Sequence, residues 1–389
     1  MRFLLRLLGR MLGVALLLGV ILTLGVKMRY GGGHTDFPDL SGNKSFRDES
    51  ALEVVAELPT PPGNIAVAPD GRVFVTLHPE AHPDLKVVEL VDNEMVPFPD
   101  ESFQHGDQNP DAFENVLSIR IDRQNRLWAL DNGHHGLHPG RILAFDLTTR
   151  KLVHSYTFPR EIARPGSHLN DFQVTPDGEH IFIADSSFFA KTPALVVYDV
   201  KNKFARRVLE DHDSTRAEFY TPVVQGRKME VLGLISIRPG VDSIALSRDG
   251  NTLYYAAVTN RKLYSISAQA LANDNLTEEQ LESRVRVAAQ SKTMSDGMTT
   301  DDRGNVYFSD LEHSAIVVLR NEDHKLYTLV KSRRLLRWPD GFSFGPDGWL
   351  YVTCSSLHEV LGRTPGYIRE HAPYQVLRIK PGPTATPGQ

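Results

Sequence analysis

Six times along the chain a short alternating apolar stretch runs into a turn rich in Asp, Gly or Asn and returns as a second β-rich stretch. The copies are GNIAVAPDGRVFVT (63–76), LSIRIDRQNRLWALD (117–131), NDFQVTPDGEHIFIAD (170–185), DSIALSRDGNTLYYA (242–256), DGMTTDDRGNVYFSD (296–310) and DGFSFGPDGWLYVT (340–353). Period-two alternation marks a strand, and the Gly or Asn of each turn supplies the positive φ that a tight hairpin demands. These turn residues are Gly71, Asn125, Gly178, Gly250, Gly304 and Gly348, spaced by 54, 53, 72, 54 and 44 residues. Each interval leaves room for two more strands, visible as KVVEL and NEMVPFP, RILAFDL and LVHSYTF, ALVVYDV and KFARRVL. Four strands per unit and six units predict an all-β fold, a six-bladed β-propeller with short, protected edges. The last unit shows only one further strand, YQVLRIK (374–380), so its outer strand is expected from ALEVVAEL (51–58), closing the ring and removing an exposed edge.

Ahead of the repeats, Arg2, Arg6 and Arg10 precede an uncharged apolar run from Met11 to Val26, with Lys27 and Arg29 directly after it. This is the pattern of a signal peptide or signal anchor, and the leading arginines favour a cytoplasmic N-terminus with an exported body. Met28, Arg29 and Tyr30 stand where a signal peptidase requires small side chains, which favours an uncleaved anchor. Sixteen residues at about 1.5 Å each reach only about 24 Å, short for a bilayer core unless Leu4 to Leu8 join the span and Arg6 snorkels. The expected division is an anchor or signal peptide over 1–30, a linker over 31–50, the propeller over 51–381 and a flexible Pro/Gly tail over 382–389.

The lone cysteine, Cys354, excludes an intramolecular disulfide, a thiolate zinc cluster and a redox pair, and its apolar strand WLYVTC reads as a packed thiol. That count fits an exported bacterial protein, periplasmic or at the cell surface, anchored or secreted. The net charge of −5 leaves no basic footprint for a phosphate backbone, so nucleic acid is not an expected partner. The expected partners are a small molecule and, through the N-terminal segment alone, a membrane; the chain is expected to be a monomer.

Counting back eight residues from each turn residue gives Gly63, Leu117, Asn170, Asp242, Asp296 and Asp340. The same position in every blade lies at the same axial end of the innermost strand, so four oxygen-bearing side chains converge on one mouth of the channel. Three converging carboxylates repel unless a cation or raised pKa values relieve them, and oxygen-only donors suit calcium or magnesium. The alternative is that Asp or Asn before Gly makes a local turn hydrogen bond and holds no metal. His168 precedes the third inner strand, placed either to shuttle protons at the mouth or to serve as a polar rim. Phe188, Phe189 and Trp338 sit near channel ends, as stacking surfaces for an aromatic ligand or as core. His134, His135 and His138 lie in a Gly/Pro loop and read as solvated. The insertion 211–233 is either a lid, with Phe219 and Tyr220 over the mouth, or blade decoration. No H-E-x-x-H, P-loop or G-x-G-x-x-G occurs, so no nucleotide or organic cofactor is expected.

Taken in order, RLWALDNG (126–133), HLNDFQVTPDGEHIFIADSS (168–187), ALVVYDV (194–200), SIALSRDGNTLYYAAVTNRKLYSI (243–266) and WPDGF (338–342) resemble the Yellow/major royal jelly protein family over about residues 52–380. That family includes insect dopachrome-converting enzymes and amine- and sterol-binding relatives; the single cysteine and the uncleaved-anchor pattern point to a bacterial, L-dopachrome tautomerase-related branch. A more distant similarity is to calcium-dependent, gluconolactonase-type propellers, which hold a metal with acidic and amide residues at the starts of inner strands. That similarity implies Asn170, Asp242 and Asp296 as metal ligands. A carboxylate beside a cation can activate a bound water, which makes Asp296 the candidate base or water-orienting residue, and their places near the mouth set His168, Phe188, Phe189, Trp338 and Asp340 around the ligand. Asp stands where Asn is usual at 242, and Gly63 and Asn64 replace the first-blade glutamate. The leading expectation is an exported propeller that binds a small organic ligand at its central channel, with a divalent cation. The alternatives are a metal-dependent lactone hydrolase or dopachrome-type isomerase, and an envelope scaffold with an exposed apolar patch and an empty channel.

Overall fold

The computed structural model describes residues 2–33, 37–40, 42, 44–106 and 109–388. Every one of the six turn residues has positive φ, from 61° at Asn125 to 90° at Gly71, and each closes the hairpin between the two inner strands of a blade. Six four-stranded antiparallel sheets result. Their innermost strands are Pro62–Val67, Val116–Ile121, Leu169–Val174, Val241–Leu246, Met298–Thr300 and Pro339–Phe344. The outer strand of the last blade is Glu53–Leu58, paired with Tyr374–Ile379 through Val54 opposite Leu377 and Leu58 opposite Tyr374. The register shifts between Val54 and Ala56. First and last segments of the propeller are thereby locked in one sheet, leaving no open edge where the ring closes.

Both faces of each blade are covered by neighbouring blades, which is why strands such as IFIAD and AIVVL are apolar on both sides. One core cluster fills each gap between blades. Phe74 and Phe98 of the first blade meet Leu127 and Phe145 of the second, and Leu329 and Ile316 of the fifth meet Phe342 and Val352 of the sixth. Hydroxyls stitch the inner strands together near the axis. Thr76 Oγ1 accepts the Asn64 N–H at 2.8 Å and donates to the Leu117 carbonyl of the next blade at 2.7 Å. Thr353 accepts the Gly341 N–H at 2.9 Å and donates to the Gly63 carbonyl.

Three segments outside the repeats are packed on this ring. The N-terminal helix, Arg2–Tyr30, is one continuous exposed helix that includes Leu4 to Leu8, and the stretch Leu5–Tyr30 is long and apolar enough to cross a membrane. Of the expected linker, Phe46 and Arg47 donate their backbone N–H groups to Thr328 and Leu329 on the outer strand of the fifth blade, extending that edge. The Pro/Gly tail, expected to be flexible from its composition, is instead held across the end of the ring where the turn residues lie. Thr384 and Gly388 carbonyls accept the N–H groups of Asp302 and Ile121, each at 2.9 Å, and Arg248 donates to Thr386 at 3.2 Å. The physical reason is that the Ile121 and Asp302 N–H groups at that end need carbonyl partners, which an extended segment supplies at little cost.

Candidate functional site

At the opposite end of the ring the inner strands begin, and the loops that connect blades there enclose a cavity of about 370 Å³. Asn170, Asp242, Asp296 and Asp340 line its floor, brought together from four blades. Leu117 shares the floor, whereas Gly63 does not reach it. Asp296 and Asp340 come from adjacent blades whose backbones nearly touch: a Cβ on Gly297 would lie 1.4 Å from the Asp340 carbonyl oxygen, so only glycine fits there.

The acidic side chains are paired with one another rather than with cations. Asn170 Nδ2 donates to Asp242 Oδ1, and Asp242 shares a hydrogen bond with Asp296. Burial, and then repulsion from Asp296, Asp340 and Asp171, raises the Asp242 pKa well above its ordinary value. Asp340 is raised by burial and by Asp296, and Asp296 is raised by burial although Trp338 and Asp242 donate to it. Two like charges about 4 Å apart at an effective dielectric of about 20 repel by about 4 kcal/mol, so a pair in contact keeps a proton or takes a cation. The donor types suit a hard cation, carboxylates from Asp242, Asp296 and Asp340 and the side-chain oxygen of Asn170, whose nitrogen here turns to Asp242. No first-blade glutamate joins them, and Asn64 Oδ1 is occupied by the Ile65 N–H and by Arg120. Among the described residues, the acidic and histidine groups whose donor atoms already lie within 4.8 Å of one another are Glu114, His134 and His138, on the outside of the GHHGLHPG loop.

Beneath the floor the channel narrows around Arg120 and Asp171. Arg120 Nη2 lies 2.8 Å from Asp171 Oδ2 in an ion pair almost without solvent, and Ser118 also donates to Asp171. Nothing in the run LSIRID marks this guanidinium as lying below three carboxylates. Lys292 is a second unanticipated group. Fully buried behind Asp296, it donates to the Thr293 carbonyl at 3.1 Å and to Ser295 Oγ at 3.0 Å, and burial lowers its pKa to about 7.

Trp338 forms a wall of the cavity. Its Nε1–H donates to Asp296 Oδ2 at 2.6 Å, and its ring lies parallel to His358 with centroids 6.3 Å apart. A bulky residue with φ of 61° is an outlier that the surroundings must impose, and here the Ser355 N–H holds the Trp338 carbonyl at 3.1 Å. The strained backbone aims the indole at Asp296. Facing it are Phe188, Phe189 and a cluster of His78, Glu80, His135 and His168. His135 Nε2 is 3.0 Å from Glu80 Oε1, and its ring packs on His168 with centroids 4.4 Å apart. The hydrogen bond to His135 pulls the Glu80 pKa down to about 2. Burial pushes His78 down to about 4 and His168 to about 3, so both are neutral at ordinary pH. The GHHGLHPG loop therefore divides: His135 turns into the cavity, while His134 and His138 stay outside, His138 Nδ1 lying 2.7 Å from Glu114. The signal missed was Asn132, whose side chain accepts the His135 N–H and turns the loop inward.

The insertion between the third and fourth blades supplies part of the roof. Pro222, Val231, Ile235 and Ile237 line the cavity, whereas Tyr220 is tied below through a 2.6 Å hydrogen bond to Glu312 and Phe219 faces outward.

This geometry sits in a chain with recognisable relatives. Major royal jelly protein 6 of Apis mellifera is 24% identical over 231 residues, 57% of this chain and 50% of that one. Protein yellow of Drosophila yakuba is 20% identical over 268 residues, 65% of this chain and 45% of that one. The chain thus matches about half the length of these curated relatives. Among solved structures, a luciferin-regenerating enzyme superposes with a TM-score of 0.54 at 13% identity, over 87% of this chain and 97% of that one. The calcium-binding protein regucalcin from Agrobacterium tumefaciens gives 0.52 at 16% identity, over 86% and 96%. These two likenesses speak to the propeller fold alone. The family model for major royal jelly protein matches residues 115–384, more than half of the chain, and the protein belongs to that family.

Proposed function

We propose that this protein binds a small, largely apolar organic molecule in the cavity at the channel mouth, above a divalent cation held by Asn170, Asp242, Asp296 and Asp340. The observation that carries the reading is the cavity itself: apolar walls from Phe188, Phe189, Ile237, Val258, Trp338 and Leu357 over a floor of converging oxygen donors. Apolar walls with a few fixed polar groups are the usual make-up of a small-molecule site. A calcium or magnesium ion there would supply a positive centre for a carbonyl, hydroxyl or carboxylate of the ligand. The N-terminal helix would hold the propeller on the outer side of a bacterial cytoplasmic membrane.

The test is fluorescence titration of the full-length protein with lactones, catechols and arylamines, with calcium and with chelator. Saturable quenching that needs calcium and disappears in Trp338→Phe supports the site; no change with any compound in a folded, calcium-bearing protein refutes it.

A second reading, turnover of the ligand, is favoured by one observation. Asp296 is a half-buried carboxyl of raised pKa that faces the cavity and is oriented by the Trp338 indole, which is how a general acid or base is prepared. Neutral His168 and the Glu80–His135 pair lie on the opposite wall to accept a proton. Lactone hydrolysis or a dopachrome-type isomerisation that Asp296→Asn abolishes while ligand affinity persists would establish it. Ligand binding without product leaves the binding function.

A further inference from the structure

The loops around the cavity mouth carry a set of exposed large apolar residues: Leu137, Phe189, Phe219, Val231 and Leu232, of which Leu232 is 89% and Leu137 is 70% exposed. They surround an opening whose interior is also apolar, since Phe189 and Val231 line both the rim and the cavity. Water-facing loops do not ordinarily gather such side chains without something that covers them.

The N-terminal helix ends on this same rim. Tyr30 donates to the Phe189 carbonyl at 2.8 Å, Arg29 donates to the Ala190 carbonyl at 2.7 Å, and Arg238 donates to the Gly31 carbonyl at 2.7 Å. The apolar stretch Leu5–Tyr30 has 26 residues. At about 1.5 Å per residue it spans about 39 Å, close to the about 40–45 Å of a bilayer with its headgroup layers. A helix of that length crossing a membrane therefore leaves Arg29 and Tyr30 among the lipid headgroups, and the rim loops bonded to them at the same depth.

At this junction a second cavity, of about 270 Å³, is lined by Arg29, Lys191, Arg216 and Arg238. Its one acid, Asp211, is taken by Arg216 at 2.7 and 2.8 Å. Arg29, Lys191 and Arg238 form no ion pair with a carboxylate among the described residues. Lys191 lies 4.4 Å from the Phe188 ring and 5.4 Å from the Tyr30 ring. Burial and then repulsion from Arg238 and Arg29 lower its pKa to about 7. Three cations gathered beside a single acid that another arginine holds are stabilised by an external anion, and the anion that this depth supplies is a lipid phosphate.

We propose that the rim is a membrane-contact face: the bilayer that holds the N-terminal helix covers the apolar loops, a lipid phosphate occupies the pocket of Arg29, Lys191 and Arg238, and the channel cavity takes a lipid-soluble ligand directly from the membrane. This rests on the anchor and ligand-cavity readings above and specifies the class of ligand.

The experiment uses the full-length chain in phosphatidylcholine–phosphatidylglycerol vesicles, with an environment-sensitive fluorophore on Leu232→Cys or, at the opposite end of the ring, on Arg303→Cys. The native Cys354 is buried and does not compete. The label at 232 is expected to shift to the blue and to be quenched several-fold more by shallow nitroxide lipids than by aqueous iodide, with the reverse at 303. Lys191→Glu is expected to lose most of the blue shift and Lys191→Arg to keep it. Equal iodide quenching at 232 and 303 in a chain still held by the vesicle overturns membrane docking. N-terminal sequencing separates the cases: removal of the helix with release of the body from the membrane overturns docking too, while quenching of Trp338 by ligand in solution then judges the cavity by itself.

Discussion

Replacing Asp242 by Asn removes one of the three carboxylates on the cavity floor while keeping its volume. In the wild type without cation, the contact between Asp242 and Asp296 forces a choice between about 4 kcal/mol of repulsion and the retention of a proton. A carboxyl whose folded pKa is raised binds more protons folded than unfolded. Its stabilising effect is therefore complete below the ordinary value of 3.8 and is lost as the pH climbs toward the raised value. The chelated wild type is thus expected to lose melting temperature relative to Asp242→Asn as the pH rises above about 4, while the buried His78 and His168, which add stability as the pH rises toward 6.5, act equally in both. A cation that binds only the folded state adds about 2.7 kcal/mol at a hundredfold excess over its dissociation constant. With about 330 ordered propeller residues the unfolding entropy is about 0.7 kcal/mol per degree, so calcium should raise the midpoint by about 4 °C at pH 7.5 and by less at pH 5. Asp242→Asn should remove that loss in chelator, match or exceed the wild-type midpoint there at pH 7.5, and lose the calcium increment. Differential scanning calorimetry in chelator and in calcium, at several pH values, reads all three. If calcium leaves the wild type unmoved, and the Asn variant is simply less stable at every pH, the floor carboxyls are turn formers and the cation reading fails.

Two further outcomes follow from the packing. Arg120→Met strands the Asp171 carboxylate in the channel and should cost about 3–5 kcal/mol, or about 4–7 °C in melting midpoint, while adding Asp171→Leu should recover much of it; equal melting of single and double variants would show that the pair is not coupled. Leu58→Ala on the closing strand, where Leu58 is 1% exposed, should lower stability by about 2–4 kcal/mol in urea unfolding; a change below about 0.5 kcal/mol would mean the strand does not hold the ring shut.

Much of this architecture was legible in the chain because its signals are local and repeated. The alternation in GNIAVAPDGRVFVT, the turn residue with positive φ and the same unit five times more are read over a dozen residues at a time, and the repeat alone aligns Asn170, Asp242, Asp296 and Asp340 at one axial level. The closing role of residues 51–58 was legible for the same reason, as the one strand the count lacked. Other features had no local signal. Arg120 is one arginine in an otherwise ordinary strand, and only the closing of the ring turns its side chain into the channel, where it is buried against Asp171.

What the sequence by itself determined is the propeller, its closure, the convergence of oxygen donors and the apolar N-terminal helix, all properties of period, composition and count. Tertiary structure alone decided the positive-φ aim of Trp338 at Asp296, the inward turn of His135 toward Glu80, the tail across the far end of the ring and the junction of Tyr30 with the rim. Each of these depends on groups up to hundreds of residues apart meeting at distances of a few ångströms, and no pattern along a chain encodes which of its loops will meet.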